Sequence, residues 1–237
     1  MDMMVTDCAY DDLLASQAWR DNLADLNETI ADSLRQHDVP VMMNGNLFYN
    51  HKKRDFPALP FVAEFEDKRR NFFELARRSS RLFEIGVNGG HSLLLALMAN
   101  PDLHAIGIDV CAQLDPRWAR VDIYVPAAFR WLEKTFLGRV QMIAGNSLVA
   151  VPEYCLANPD AGVDFLHLDG AKDTHLREVL GMRDAMQAGA FVVHDDFNAK
   201  PVRLSDRQLR RIGVTRPLDY EEHGLRETRW HVVRALA

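Results

Sequence analysis

The chain changes its hydrophobic rhythm twice. Between residues 11 and 37, apolar positions fall at helical spacing (Leu13, Leu14, Trp19, Leu23, Leu26, Ile30, Leu34) with charged residues between them, which predicts a helix or a helical pair ending before Pro40. Residues 40–60, holding Pro40, Asn44, Gly45, Asn46, Pro57 and Pro60, read as irregular, and a second helix is expected over about 61–78. From Arg81 onward, short apolar runs alternate with longer amphipathic segments. Strands are expected at 81–86, 104–109, 140–144, 163–168 and 190–195, with helices at 90–99 and near 126–137, 147–157 and 174–187. Beyond Pro201 a polar helix near 204–211 precedes two more strands. The last of these, in RETRWHVVRAL at 226–236, alternates as an antiparallel strand at or near an edge would.

Apolar strands alternating with helices are the mark of a parallel sheet covered on both faces. The expected fold is therefore α/β: a Rossmann-like, doubly wound, mostly parallel seven-stranded sheet with an antiparallel strand near the C-terminus. It divides into an N-terminal helical extension, 1–78, packed on a core domain, 79–237. At 237 residues one such unit can bury a substantial core.

The first turn of that core carries the strongest chemical signal. In RLFEIGVNGGHSLLLAL an apolar run ends at Glu84, Gly86 follows, and Gly89 and Gly90 stand where a helical pattern begins. Glycines there allow positive φ and close approach of a ligand to the main chain, and the helix beyond offers unpaired N–H groups. The spacing breaks the dinucleotide fingerprint GxGxxG but fits the looser [DE]-x-G-x-x-x-G through Glu84, Gly86 and Gly90. An acid on the strand repels pyrophosphate and suits a cation, and S-adenosylmethionine carries an ammonium and a sulfonium without phosphate. Asp109, closing the second strand, is placed to accept from both ribose hydroxyls, its alternative being a strand-end turn residue.

On Glu84, the glycines and Asp109 the chain resembles the class I S-adenosylmethionine-dependent methyltransferases across roughly 79–237. The resemblance implies that Asn146 and Ser147, in GNS after strand 140–144, meet the adenine end. Read alone they serve equally as a helix N-cap.

Two further strands end in acid: Asp169 in DFLHLDGAK, and Asp195 with Asp196 in AFVVHDDFN. Three carboxylates at one sheet edge repel one another unless a cation is present, and oxygen ligands suit Mg²⁺. Solvated turn acids are the alternative. Lys172, three residues after Asp169, is expected to have its pKa lowered by a dication and a sulfonium and so to act as general base. This set resembles the metal-dependent O-methyltransferases of catechol type and their sugar and phenol branch, which implies a hydroxyl acceptor, S-adenosylmethionine and Mg²⁺ as cofactors, and a homodimer. Aspartate at 196, where the catechol type has asparagine, and lysine at 172, where the other branch often has histidine, depart partly from each.

The rest of the sequence narrows the field. A net charge of −6 argues against a nucleic-acid partner, and HKKR at 51–54 reads as a solvated loop. Cys8, Cys111 and Cys155 form no CxxC, the N-terminus lacks a signal-peptide pattern and no apolar run spans a membrane, so a cytoplasmic protein with free thiols is expected. His175 is a reserve base or a surface residue at a helix start, His91 flanks the cofactor or sits in a first helical turn, and His167 and His194 are core residues. Asn198 is an alternative to Asp196 as ligand, and Trp118, Tyr124 and Trp131 wall a pocket or fill the core. Competing functions are methyl transfer to nitrogen without a metal, and a non-catalytic cofactor-binding module.

Overall fold

A computed structural model describes residues 9–50, 53–54 and 56–237. Cys8 and the His51 and Lys52 of the basic cluster lie outside the described residues. The N-terminal pattern resolves into a helical pair, α1 (Tyr10–Ala15) and α2 (Gln17–Arg35), split where Ser16 caps α2 by accepting from the Trp19 N–H at 3.1 Å. A two-residue ribbon, β1 (Met42–Met43) with β2 (Lys53–Arg54), sits in the segment expected to be irregular, and α3 (Glu66–Arg77) follows.

The core then runs β3 (Arg81–Ile85), α4 (His91–Ala99), β4 (His104–Asp109), α5 (Val121–Thr135), β5 (Val140–Ala144), α6 (Ser147–Ala157) and β6 (Val163–Leu168). It ends with α7 (His175–Met182), β7 (Met186–Asp195), α8 (Lys200–Arg211), β8 (Thr215–Pro217) and β9 (His231–Leu236). The seven strands order as β5-β4-β3-β6-β7-β9-β8, all parallel from β5 to β7, with β9 antiparallel to both its neighbours. The order reverses between β3 and β6, and in an open α/β sheet ligands bind outside the carboxyl ends of the strands at that switch.

Two departures from the expected elements have local causes. Helix α5 begins at Val121, not near 126, because Pro126 is accommodated inside it. Strand β7 starts at Met186, and α7 is correspondingly shorter than 174–187.

Period-two alternation assigns each strand residue to a face. Leu82, Phe165, Val193 and Val233 face one way and join a core built with α1 to α5; Phe83, Ile85, Leu166, Leu168 and Val192 face the other way. The first core is continuous from Tyr10 to Val233, so the helical extension shares its apolar packing with the sheet across the 78/79 boundary. Among the described residues no helix is long and apolar enough to cross a membrane.

Candidate active site

The glycine turn leaves β3 with Gly86 at φ +89°, Asn88 at +53° and Gly90 at +75°. Glycine is required at 86 twice over, since a Cβ there would stand 2.5 Å from the Gly170 nitrogen in the loop after β6. At Gly90 a Cβ would meet Leu132 of α5 at 2.6 Å. The turn is held from outside: Tyr124 donates to the Asn88 side chain at 2.5 Å, and Asn88 donates to the Gly45 carbonyl at 2.9 Å. His91 does not flank an open site. It is buried, linked to Asn46 at 2.9 Å and Asn27 at 2.8 Å, and burial pushes its pKa down to about 3.

Asp109 is drawn into the same turn, accepting from the Asn88 N–H and the Cys111 N–H at 2.9 Å each. Burial raises its pKa while these backbone donors pull the other way. Asn146 caps α6 through the Leu148 N–H at 3.0 Å, and Ser147 donates to Glu178 at 2.6 Å. A cavity of about 210 Å³ opens beside Ser147, lined also by Leu148, Val151, Pro152, Arg177 and Glu178. Tyr124 and Trp131 are buried core residues, the latter donating to Asp25 at 2.8 Å, and Trp118 is the partly exposed one of the three.

Glu84 departs from its expected geometry. Alternation turns it, with His167 and Asp195, onto the face covered by α3, and its Oε1 lies 2.6 Å from His167 Nδ1. Its counter-charge is thus the chain's own imidazolium. Burial works against that charge, but Asp195 and Glu84 outweigh it and raise His167 to about 9. The ring's other nitrogen is 3.6 Å from Asp195 Oδ2.

The three aspartates do converge, and the repulsion expected between them is met by two lysines. Lys68, from α3, places Nζ 2.5 Å from Asp195 Oδ2, with the two side chains only 8% and 0% exposed. Lys172 sits between Asp169 at 2.8 Å and Asp196 at 2.9 Å. Burial would raise the Asp195 carboxyl, yet Lys68 and His167 hold it well below the usual range. Asp169 is pushed up to about 6, first by burial and then by Asp195, against Lys172 and Lys68.

For Lys172 the sequence expectation is reversed. Burial favours the neutral amine, but Asp169, Asp196 and Asp195 outweigh it and raise the pKa above the ordinary lysine range. In this arrangement Lys172 is an ammonium. His175 is corrected too: it is fully buried, 3.3 Å from His194 on the opposite face of the sheet from the acids, and burial lowers it to about 2. Asn198 is exposed in the loop beyond Asp196.

Atoms of His167, Asp169 and Asp195 lie within 4.8 Å of one another, a spacing that could hold a metal ion. As placed, the donors do not fit a hard dication. Each of the three aspartates already contacts an ammonium, so an ion bound by them would lie against Lys68 and Lys172.

Lys68 went unnoticed in the sequence, although a signal existed. Its position lies one helical turn before Phe72 and in line with Leu75 and Ala76, on the buried stripe of α3.

Residues 83–197 match the family model described as Methyltransferase domain, a span running from β3 to just past β7 and holding every carboxylate of the cluster. No curated protein matches the sequence. Among solved structures the chain is similar to the methyltransferase PaMTH1 of Podospora anserina with S-adenosylhomocysteine bound, at 14% identity over 75% of this chain and 80% of that one, TM-score 0.56. It is also similar to the O-methyltransferase TomG of Streptomyces achromogenes, involved in tomaymycin synthesis, in complex with S-adenosylmethionine (17% identity, 89% and 87% covered, TM-score 0.52). An O-methyltransferase from Bacillus cereus in complex with S-adenosylhomocysteine gives 10% identity, 90% and 91% coverage and a TM-score of 0.54. The fold is that of the class I methyltransferases. Residues 83–197 are thus similar to a methyltransferase domain, and the fold is one shared with methyltransferases solved with S-adenosylmethionine or S-adenosylhomocysteine bound.

Proposed function

We propose that this enzyme transfers the methyl group of S-adenosylmethionine to a hydroxyl oxygen of a small molecule such as a phenol, a catechol or a sugar. The observation that carries the reading is contact between the two halves of the site. Gly86, in the cofactor turn, abuts the backbone of Asp169 and Gly170, and Asp169 holds Lys172 at 2.8 Å. A methyl donor seated on the turn therefore has an acid–ammonium pair beside it.

In this reading Asp109 accepts from the ribose hydroxyls with the lone pairs its backbone donors leave. Asn146 and Ser147 border the adenine end, and the positive φ of Gly86 and Gly90 shapes the turn on which the cofactor is seated. Glu84 anchors the turn through His167. The acceptor oxygen forms a bond to the methyl carbon as the carbon–sulfur bond breaks, sulfur keeps the electron pair, and the sulfonium becomes a neutral thioether. Asp169, with its pKa near 6, is ionised at neutral pH and more basic than an ordinary aspartate, which suits it to take the hydroxyl proton. Lys172 holds the developing oxyanion beside it. The Mg²⁺ expected from the sequence has its donors in Asp169, Asp195 and Asp196; their contacts with the two lysines speak against it, and no step here runs through an ion.

The test is methyl transfer by the purified protein to a panel of phenols, catechols and glycosides, with methyl ethers and S-adenosylhomocysteine read by mass spectrometry. Lys172→Met should lower kcat by roughly 10²–10³-fold while calorimetry finds cofactor affinity unchanged. Methylation of amines alone, or an unimpaired Lys172→Met, refutes the reading.

A further inference from the structure

We propose that Lys68 is the resident cation of the acid cluster and occupies the place of a divalent ion, so that methyl transfer proceeds without one. The inference rests on the O-methyltransferase reading above. It is argued from contacts, charge and the origin of the lysine.

The contacts come first. Asp195 turns one oxygen to Lys68 at 2.5 Å and the other to the Asp196 N–H at 2.7 Å, leaving neither oxygen without a neighbour. Lys172 takes up an oxygen of Asp169 and one of Asp196. An Mg²⁺ ion needs near-octahedral oxygen ligands at about 2.0–2.1 Å. At that distance from Asp195 Oδ2 it would compete with the Lys68 ammonium for the same oxygen.

The charge leads to the same place. Two ammonium groups against the three aspartates leave one net negative charge, the same balance that one divalent ion would leave with those aspartates alone. The neighbouring Glu84–His167 pair balances itself, and the burial of Lys68, Glu84, His167 and Asp195 makes such pairing obligatory for them.

The origin of the lysine makes it a property of this chain. Lys68 enters from α3, outside the span 83–197 that matches the methyltransferase family. The same helix is fastened over the cluster: Phe72 packs edge-on against His167 at 4.9 Å, and Asn71 bonds His231 at 3.0 Å, opposite Asp195 on the next strand. Lys68 also lies over the Phe65 ring at 5.5 Å. The ammonium is thereby held over Asp195 by its neighbours on both sides. Lys68 is a positioning residue, fixing Asp195 and balancing Asp169 while the acceptor meets Asp169 and Lys172.

The deciding measurement is Mn²⁺ titration followed by electron paramagnetic resonance, which needs no acceptor. Wild-type protein should bind no stoichiometric Mn²⁺ below roughly 1 mM, and methyl transfer should proceed at an unchanged rate in EDTA. Lys68→Met removes the charge at similar length and should create a Mn²⁺ site, tightening binding on the order of 100-fold as the carboxylates regain their net charge. One Mn²⁺ per wild-type chain, lost in Asp169→Asn, overturns the proposal; so does a folded Lys68→Met as blind to Mn²⁺ as wild type. Should that variant not fold, the wild-type titration alone decides. Methyl ether formation that requires added Mg²⁺ would sink this inference and leave the O-methyltransferase reading standing. Absence of any hydroxyl acceptor would do the reverse.

Discussion

His167 and His194 lie on neighbouring strands one register step apart, both buried, and the protein treats them oppositely. His167 pairs in register with Val193, and His194 with Leu168, so alternation sends the two rings to opposite faces of the sheet. Under α3, His167 stands between Glu84 and Asp195, and its pKa is raised to about 9. On the other face His194 stacks on His175 at 5.5 Å, and burial lowers it to about 4. Burial is the same penalty for both. The difference lies in what each face supplies: two carboxylates against His167 on one, and on the other a second imidazole, with Asp206 and Arg234 pulling His194 in opposite directions. A buried histidine in a strand is therefore neither core filler nor functional group by position alone; its partners across the sheet decide.

The largest expected effect tests the charged side. His167→Leu removes the only hydrogen-bond partner of the Glu84 side chain among the described residues, and leaves that 1% exposed carboxylate without its imidazolium. Removing one member of a buried pair typically costs about 3–5 kcal/mol. Denaturant unfolding at pH 6 should show a loss of that size, whereas a loss below 1 kcal/mol would mean that His167 is not charged in the folded protein.

The pH dependence of that same variant is a finer test. Unfolded His167 loses its proton near 6.5 and the folded residue near 9, so between these values the native state holds the extra proton and stability falls as pH rises. The contribution is complete below 6.5 and gone above about 9. Taking wild type minus variant cancels other groups, and the gap should shrink by up to about 1.4 kcal/mol per pH unit across that window. A gap that stays constant from pH 6.5 to 9 would contradict the ion-paired assignment.

Which of these features the sequence could reveal follows a simple line. Strands, helices and the convergence of Asp169, Asp195 and Asp196 are legible because they depend on period and on chain order within a parallel sheet. The glycine turn was legible as a turn, but one cause of Gly86 was not: it makes room for Gly170, a residue 84 positions on. Counter-charges were the part least open to sequence reading. Glu84 read as a partner for a ligand's cation because nothing local says that His167 will lie beside it. The acids seemed to call for a metal because Lys68 sits more than a hundred residues earlier, in a helix whose docking only the tertiary fold defines. For Lys172 the direction of the pKa shift followed that assumption. With a dication nearby it falls; with Asp169 and Asp196 alone it rises.

The smallest expected effect belongs to His194, and it tests the neutral side. Among the described residues its Nε2 has no hydrogen-bond partner, and its Nδ1 meets only His175, at 3.3 Å. Replacing a buried, poorly satisfied polar ring by an apolar side chain removes its desolvation cost along with one weak contact, so His194→Leu at pH 7.5 should change stability by within about 1 kcal/mol. Its sign should then depend on pH. Folded His194 resists protonation down to about 4 while the unfolded residue takes a proton below 6.5, so wild type loses stability as pH falls through that range. The variant is spared this loss, and at pH 5 it should be more stable than wild type in thermal unfolding by roughly 1–2 kcal/mol. A variant that is instead less stable at pH 5 than at 7.5, relative to wild type, would mean that His194 carries a proton inside the fold, and the contrast with His167 would disappear.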